Sequence, residues 1–66
     1  MKNKIRIERA ILDITQEELA QRTGVSRQTI HAIENNKYIP SAVLALKIAK
    51  VFGKLMEEIF ELEADD

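Results

Sequence analysis

Residues 15 to 30, TQEELAQRTGVSRQTI, constrain the fold of this 66-residue chain more than any other stretch. Thr15 and Glu18 have the form of a capping box, in which each side chain satisfies a free backbone N–H at a helix start. The helix so begun covers about residues 16 to 22 and stops at Gly24, which takes positive φ without a Cβ clash. Ser26 then caps the next helix. Two short helices joined by a three-residue glycine turn cross steeply, and the second keeps one face exposed and its N-terminus protruding. Leu19, Val25, Ile30 and Ile33 lock the crossing, and the small Ala20 lets the helices approach closely.

The flanking segments read as three more short helices. In residues 5 to 14, Ile7, Ile11 and Ile14 follow i, i+4, i+7 spacing, with Ile5 and Leu12 widening the stripe, which predicts a helix over about 5 to 13 burying that face. RQTIHAIE, residues 27 to 34, turns Ile30 and Ile33 inward and leaves Arg27, Gln28, His31 and Ala32 mainly on other faces. Pro40 disfavours helix at Ile39, and Ser41 caps a helix over 42 to 52. That helix, AVLALKIAKVF, is apolar except at Lys47 and Lys50, as expected of a central helix with a basic outer edge. Gly53 stops it, and Met56, Ile59 and Phe60 mark a last helix over 56 to 60. Period-two alternation in FELE and in KIRI permits a short antiparallel ribbon between the termini, with Lys2, Lys4 and Arg6 facing Glu61 and Glu63. The fold class expected is all-α, one domain of five helices over residues 1 to 66 with this ribbon as an option.

Charge adds a direction. Residues 1 to 54 hold all ten Lys and Arg against five acids, a net of +5, while residues 55 to 66 hold six acids and no base, which restores the total of −1. A basic surface for a polyanion, with an acidic end lying elsewhere, fits this division. With no Cys there is neither a disulfide framework nor a thiol nucleophile, and a cytoplasmic location is expected. No run has the length of a membrane span or a signal h-region. His31, the only histidine, lacks companions at metal-ligand spacing, so no metal and no cofactor are expected. The glutamates near the C-terminus read as solvated helix surface, because acid–base catalysis would need a pocket and an organised surrounding shell.

The stretch ITQEELAQRTGVSRQTIHAIENNKYIPS resembles the signature of phage repressor/Cro-like helix-turn-helix regulators, also called the xenobiotic-response-element family. The likeness continues through LALKIAKVFG and EEIF, about residues 3 to 60. It implies a lambda-repressor-like five-helix DNA-binding domain, usually a symmetric dimer, with residues 27 to 34 as the recognition helix. By the same resemblance Arg27 and Gln28 reach base edges, with His31 and Ala32 next along the surface. Arg can grip guanine O6 and N7 with two donors, and Gln can pair with adenine N6 and N7. Gln16, Ser26, Thr29, Asn36, Lys37 and Tyr38 are then the phosphate contacts, which give affinity without sequence information. Arg9 and Glu34 match a recurring structural ion pair of the family. Departures are Thr23 where an aliphatic residue is common, Asn36 where Gly is frequent, Leu55 in place of a common Pro, and Glu8 where relatives are apolar or aromatic.

Leu55, Ile59, Phe60 and Leu62 carry more apolar area than so short a helix needs for its own core. A dimer seam accounts for it, and a lid over the monomer core is the alternative. The function expected is therefore a non-enzymatic, sequence-specific DNA-binding transcriptional regulator. It would act as a homodimeric repressor on pseudo-palindromic double-stranded operator DNA, with no membrane contact and no small-molecule effector. The competing reading is an antitoxin-like or accessory helix-turn-helix protein whose main partner is a separate polypeptide.

Overall fold

The computed structural model describes residues 1 to 66. Five helices follow one another: α1 (Ile5–Leu12), α2 (Gln16–Thr23), α3 (Arg27–Glu34), α4 (Ala42–Phe52) and α5 (Met56–Ile59). A two-stranded antiparallel sheet joins the ends, β1 (Lys2–Asn3) to β2 (Phe60–Glu61), with Lys2 opposite Glu61 and Asn3 opposite Phe60. The optional ribbon thus exists, but it precedes KIRI: of the expected cations only Lys2 stands in it, opposite Glu61, because Ile5 already begins α1 and Arg6 lies on that helix.

The boundaries follow from the caps. Thr15 Oγ1 accepts the Glu18 N–H at 3.0 Å, Ser26 Oγ the Thr29 N–H at 3.2 Å and Ser41 Oγ the Leu44 N–H at 3.2 Å, each filling one orphan donor of a helix start. Gly24 and Gly53 end α2 and α4 in the left-handed region, at φ 75° and 65°. A methyl group at residue 24 would meet no atom within 4 Å, so Gly24→Ala tests backbone conformation alone. It is expected to cost about 1 kcal/mol in urea unfolding, and Gly24→Asn less, since Asn tolerates that conformation. Phe60 is extended, not helical as the periodicity suggests, because it enters β2.

Thirteen buried apolar residues form one core, with Leu19 and Ala20 of α2, Ile30 and Ile33 of α3, and Ile48 of α4 deep inside. Thr23 is also buried, and its hydroxyl donates to the Leu19 carbonyl at 2.8 Å. That bond lets a polar residue stand where an aliphatic one is common.

Helix α1 differs from the expectation. Ile7 and Ile11 are 58% and 67% exposed, while Ile5 and Glu8 are buried. Polar partners set the helix rotation: the Glu8 carboxylate accepts from Lys54 Nζ at 2.8 Å, and Arg9, one position further round, reaches α3. A count of isoleucines misses this, because two ion pairs on the inner face each need a fixed direction. Ile14 is buried, but from beyond the helix, since Asp13 ends α1 in the left-handed conformation and turns the chain. The bond to Glu8 raises the Lys54 pKa above its ordinary 10.5, more than desolvation lowers it.

Ile59 and Phe60, expected at a dimer seam, belong to the monomer core, Phe60 with only 8% of its surface exposed. Phe60 takes that place because β2 folds it back over α4. Leu55 and Leu62 are exposed. Ile59 and Phe60 are thus covered within one chain, whereas Leu55 and Leu62 are not. At the ribbon end the Met1 amine bonds Asp66 Oδ1 at 3.1 Å and Glu63 Oε1 at 3.2 Å. The hydrogen bond with Asp66 raises the amine pKa, and the Glu63 backbone N–H, 2.7 Å from Asp66 Oδ2, lowers that of Asp66.

Candidate nucleic-acid interface

The geometry that projects α3 starts at Gly24. Helix α2 ends there, Val25 packs on the core, and Ser26 starts α3 within two residues. Ile30 and Ile33 anchor the inner face of α3, which turns Arg27, Gln28 and His31 to solvent. Neither Arg27 nor Gln28 has a side-chain hydrogen bond or an ion pair within the protein. Ala32 is half-buried, so of the four expected base contacts it projects least.

Behind this surface lies a bonded network centred on Glu34. Arg9 donates from Nε to Glu34 Oε2 at 3.1 Å and from Nη2 to Oε1 at 3.0 Å, and its Nη1 donates to the Ile14 carbonyl at 3.1 Å. Arg6 approaches the same carboxylate at 3.5 Å. The Glu34 side chain is 1% exposed. An acid in the last turn of a helix opposes the macrodipole, and the two guanidinium groups offset that cost. The pair thereby fixes α1 against the far end of the recognition helix.

Gln16 is held by this network. Its Nε2 donates to Glu34 Oε2 at 3.2 Å and lies 3.4 Å from His31 Nδ1. The amide nitrogen is thus directed at α3, so a phosphate contact by Gln16 competes with its bond to Glu34. Gln16 and Arg27 nevertheless line one cleft, together with Asp13 and Glu17. Asn35, which sequence reasoning missed, donates to the His31 carbonyl at 2.8 Å and sits 3.3 Å from His31 Nε2. Asn3 was missed as well: from β1 it donates to the Ile33 carbonyl at 2.8 Å and toward Asn36 Oδ1 at 3.4 Å. An asparagine at a helix end was the available signal for Asn35; Asn3 gave none, because its partner lies 30 residues away.

The remaining expected phosphate contacts form two groups. Ser26 and Thr29 share a hydroxyl bond of 3.0 Å at the start of α3. Asn36, Lys37 and Tyr38 are exposed in the α3–α4 loop, where Asn36 takes positive φ, 59°, and so replaces the frequent glycine. A capped helix start with free cations beside it is an arrangement suited to anionic oxygens.

A helix-turn-helix family model matches residues 5 to 59. The chain belongs to that family. The helix-turn-helix protein is 58% identical over 66 residues to an uncharacterized HTH-type transcriptional regulator of Methanocaldococcus jannaschii, with both chains covered in full. Another from Bacillus subtilis is 48% identical, again over the whole of both chains. One from Archaeoglobus fulgidus is 47% identical over all of this chain and 93% of its own. The family is one of small DNA-binding regulators, and the chain is not an enzyme. No helix is long and apolar enough to cross a membrane.

Proposed function

We propose that the protein is a transcriptional regulator that reads double-stranded operator DNA with Arg27 and Gln28, binds as a two-fold homodimer and represses by occluding promoter or activator sites. The observation that carries the reading is the pair of unbonded, exposed side chains on the first turn of a helix anchored from behind by Glu34 and Arg9. Such side chains break no internal bond when they meet base edges. A two-fold dimer sets its recognition helices one DNA turn apart, about 34–36 Å, and calls for an inverted repeat. Selection from a random duplex pool is expected to enrich that repeat; failure to enrich any sequence overturns the reading.

The homodimer surface proposed is the apolar groove beside the terminal ribbon, lined by Met1, Ile39, Ala42, Met56, Phe60 and Leu62 among others, about 430 Å³ in volume. Leu62, 77% exposed, is its most accessible large side chain, with Ile39 also open; Leu55, outside the groove, is exposed as well. Leu62→Asp is expected to shift sedimentation to the monomer and leave the helical circular dichroism unchanged. Phe60→Asp is instead expected to unfold the monomer, at about 3–5 kcal/mol, because it places a charge in the core. An unchanged mass for Leu62→Asp removes this surface from consideration. The same groove supports a second reading, in which a separate polypeptide fills it; a wild-type chain that sediments as a monomer and still binds DNA favours that reading.

A further inference from the structure

Besides Lys2 and Lys4 at the terminal ribbon, three cations remain outside the reading so far: Arg22 near the end of α2, and Lys47 and Lys50 on the outer edge of α4. All are exposed, and none is in an ion pair, whereas Arg6, Arg9 and Lys54 each have a carboxylate partner. They surround one depression, completed by Gln21, Thr23, Gly24 and Val51, with no acid in its lining. A second depression shares Thr23, Gly24 and Lys47 with it and continues to Thr29, Tyr38 and Ser41. No acid lines that one either. One continuous concave strip thus leads from the start of α3 to Lys50, while every acid of residues 55 to 66 lies on or beside the terminal ribbon or α5.

Helix dipoles explain part of this. Arg22 and Lys50 stand in the last turns of α2 and α4, where a cation is favourable. Lys47 stands before the last turn, and the dipole does not account for the missing counter-charges. Lys47 and Lys50 follow Ser41 by about 9 and 13.5 Å along the helix axis at about 1.5 Å per residue. A duplex seated at Thr29 and Tyr38 meets one end of this strip, and its backbone carries one negative charge per strand about every 3.4 Å of axis, which the strip's free cations can match. We infer that Arg22, Lys47 and Lys50 form a second phosphate-binding strip that grips the DNA backbone flanking the sequence read by α3.

The inference rests on the DNA-binding reading, and the test keeps the two apart. Binding is measured by fluorescence anisotropy on the selected duplex cut at the ends of its inverted repeat, on the same duplex extended by one turn on each side, and on unselected duplexes of both lengths. The wild type is expected to bind the extended duplex several-fold more tightly. Lys47→Gln/Lys50→Gln is expected to lose that gain and to lower the salt slope on the extended duplex by about 2 per protomer. Lys4→Gln, an exposed change at the ribbon, is expected to keep the gain. Equal wild-type affinity for both lengths, or a gain that survives the double substitution, overturns the strip and leaves the base-reading proposal standing. A length gain without preference for the selected sequence does the reverse. No binding to any duplex overturns both, and points to an acidic protein as the occupant of the strip.

Discussion

Arg9→Ala is expected to remove about 3–5 kcal/mol of unfolding free energy, from a total of about 3–10 kcal/mol for a chain of this size. The carboxylate it leaves behind is almost wholly removed from water, and it would lose the two-point contact that satisfies both its oxygens. Arg6, at 3.5 Å and largely exposed, replaces little of that. The Ile14 carbonyl loses a donor in the same step. Urea unfolding measures the loss, and a double-mutant cycle separates the pair from its surroundings: Arg9→Met/Glu34→Met should be much less damaging than Arg9→Ala, because no buried charge remains. A loss below about 1 kcal/mol for Arg9→Ala would mean that Gln16 and water stabilise Glu34 unaided.

The same pair shows how far the sequence can be read. Helix limits were legible wherever a cap residue has a local partner, as at Thr15, Ser26 and Ser41, because the bond spans three residues. The glycine turn was legible for the same reason. What was not legible is the rotation of α1: the family resemblance named the Arg9–Glu34 pair, but Glu8 chooses a partner 46 residues away, and together these directional bonds outweigh the exposed Ile7 and Ile11. Phe60 misled in a related way. Its apolar surface suggested a seam, but the ribbon that folds it inward depends on pairing with Asn3 at the opposite end of the chain. Spacing alone put Arg27 and Gln28 on an outward face of α3, and the family resemblance gave them their role there, whereas the inward turn of Gln16 depends on where Glu34 lies.

That contrast between Gln16 and Gln28 governs the largest expected effect on binding. Gln28 has no internal bond to exchange, so its contribution to a base pair is close to the full value of a two-point contact, about 1–3 kcal/mol. A two-fold dimer meets two half-sites, so Gln28→Ala is expected to cost about 2–6 kcal/mol on the selected operator, on the order of 30-fold to 10⁴-fold in affinity. On unselected DNA of equal length it should cost almost nothing, because a neutral amide releases no counterion. Arg27→Ala should weaken both, and the selected site more, since its charge serves any phosphate and its fork serves guanine. Lys37→Ala, in the loop, should weaken both alike and lower the salt slope by about one per protomer. Gln16→Ala is the opposite case: it frees one acceptor position on Glu34, and any phosphate contact by Gln16 would first have to break that bond, so its loss on DNA should be smaller than that of Gln28→Ala. Equal losses for Gln28→Ala on selected and unselected duplexes would show that α3 only positions the protein, and that sequence is read through the shape of the DNA.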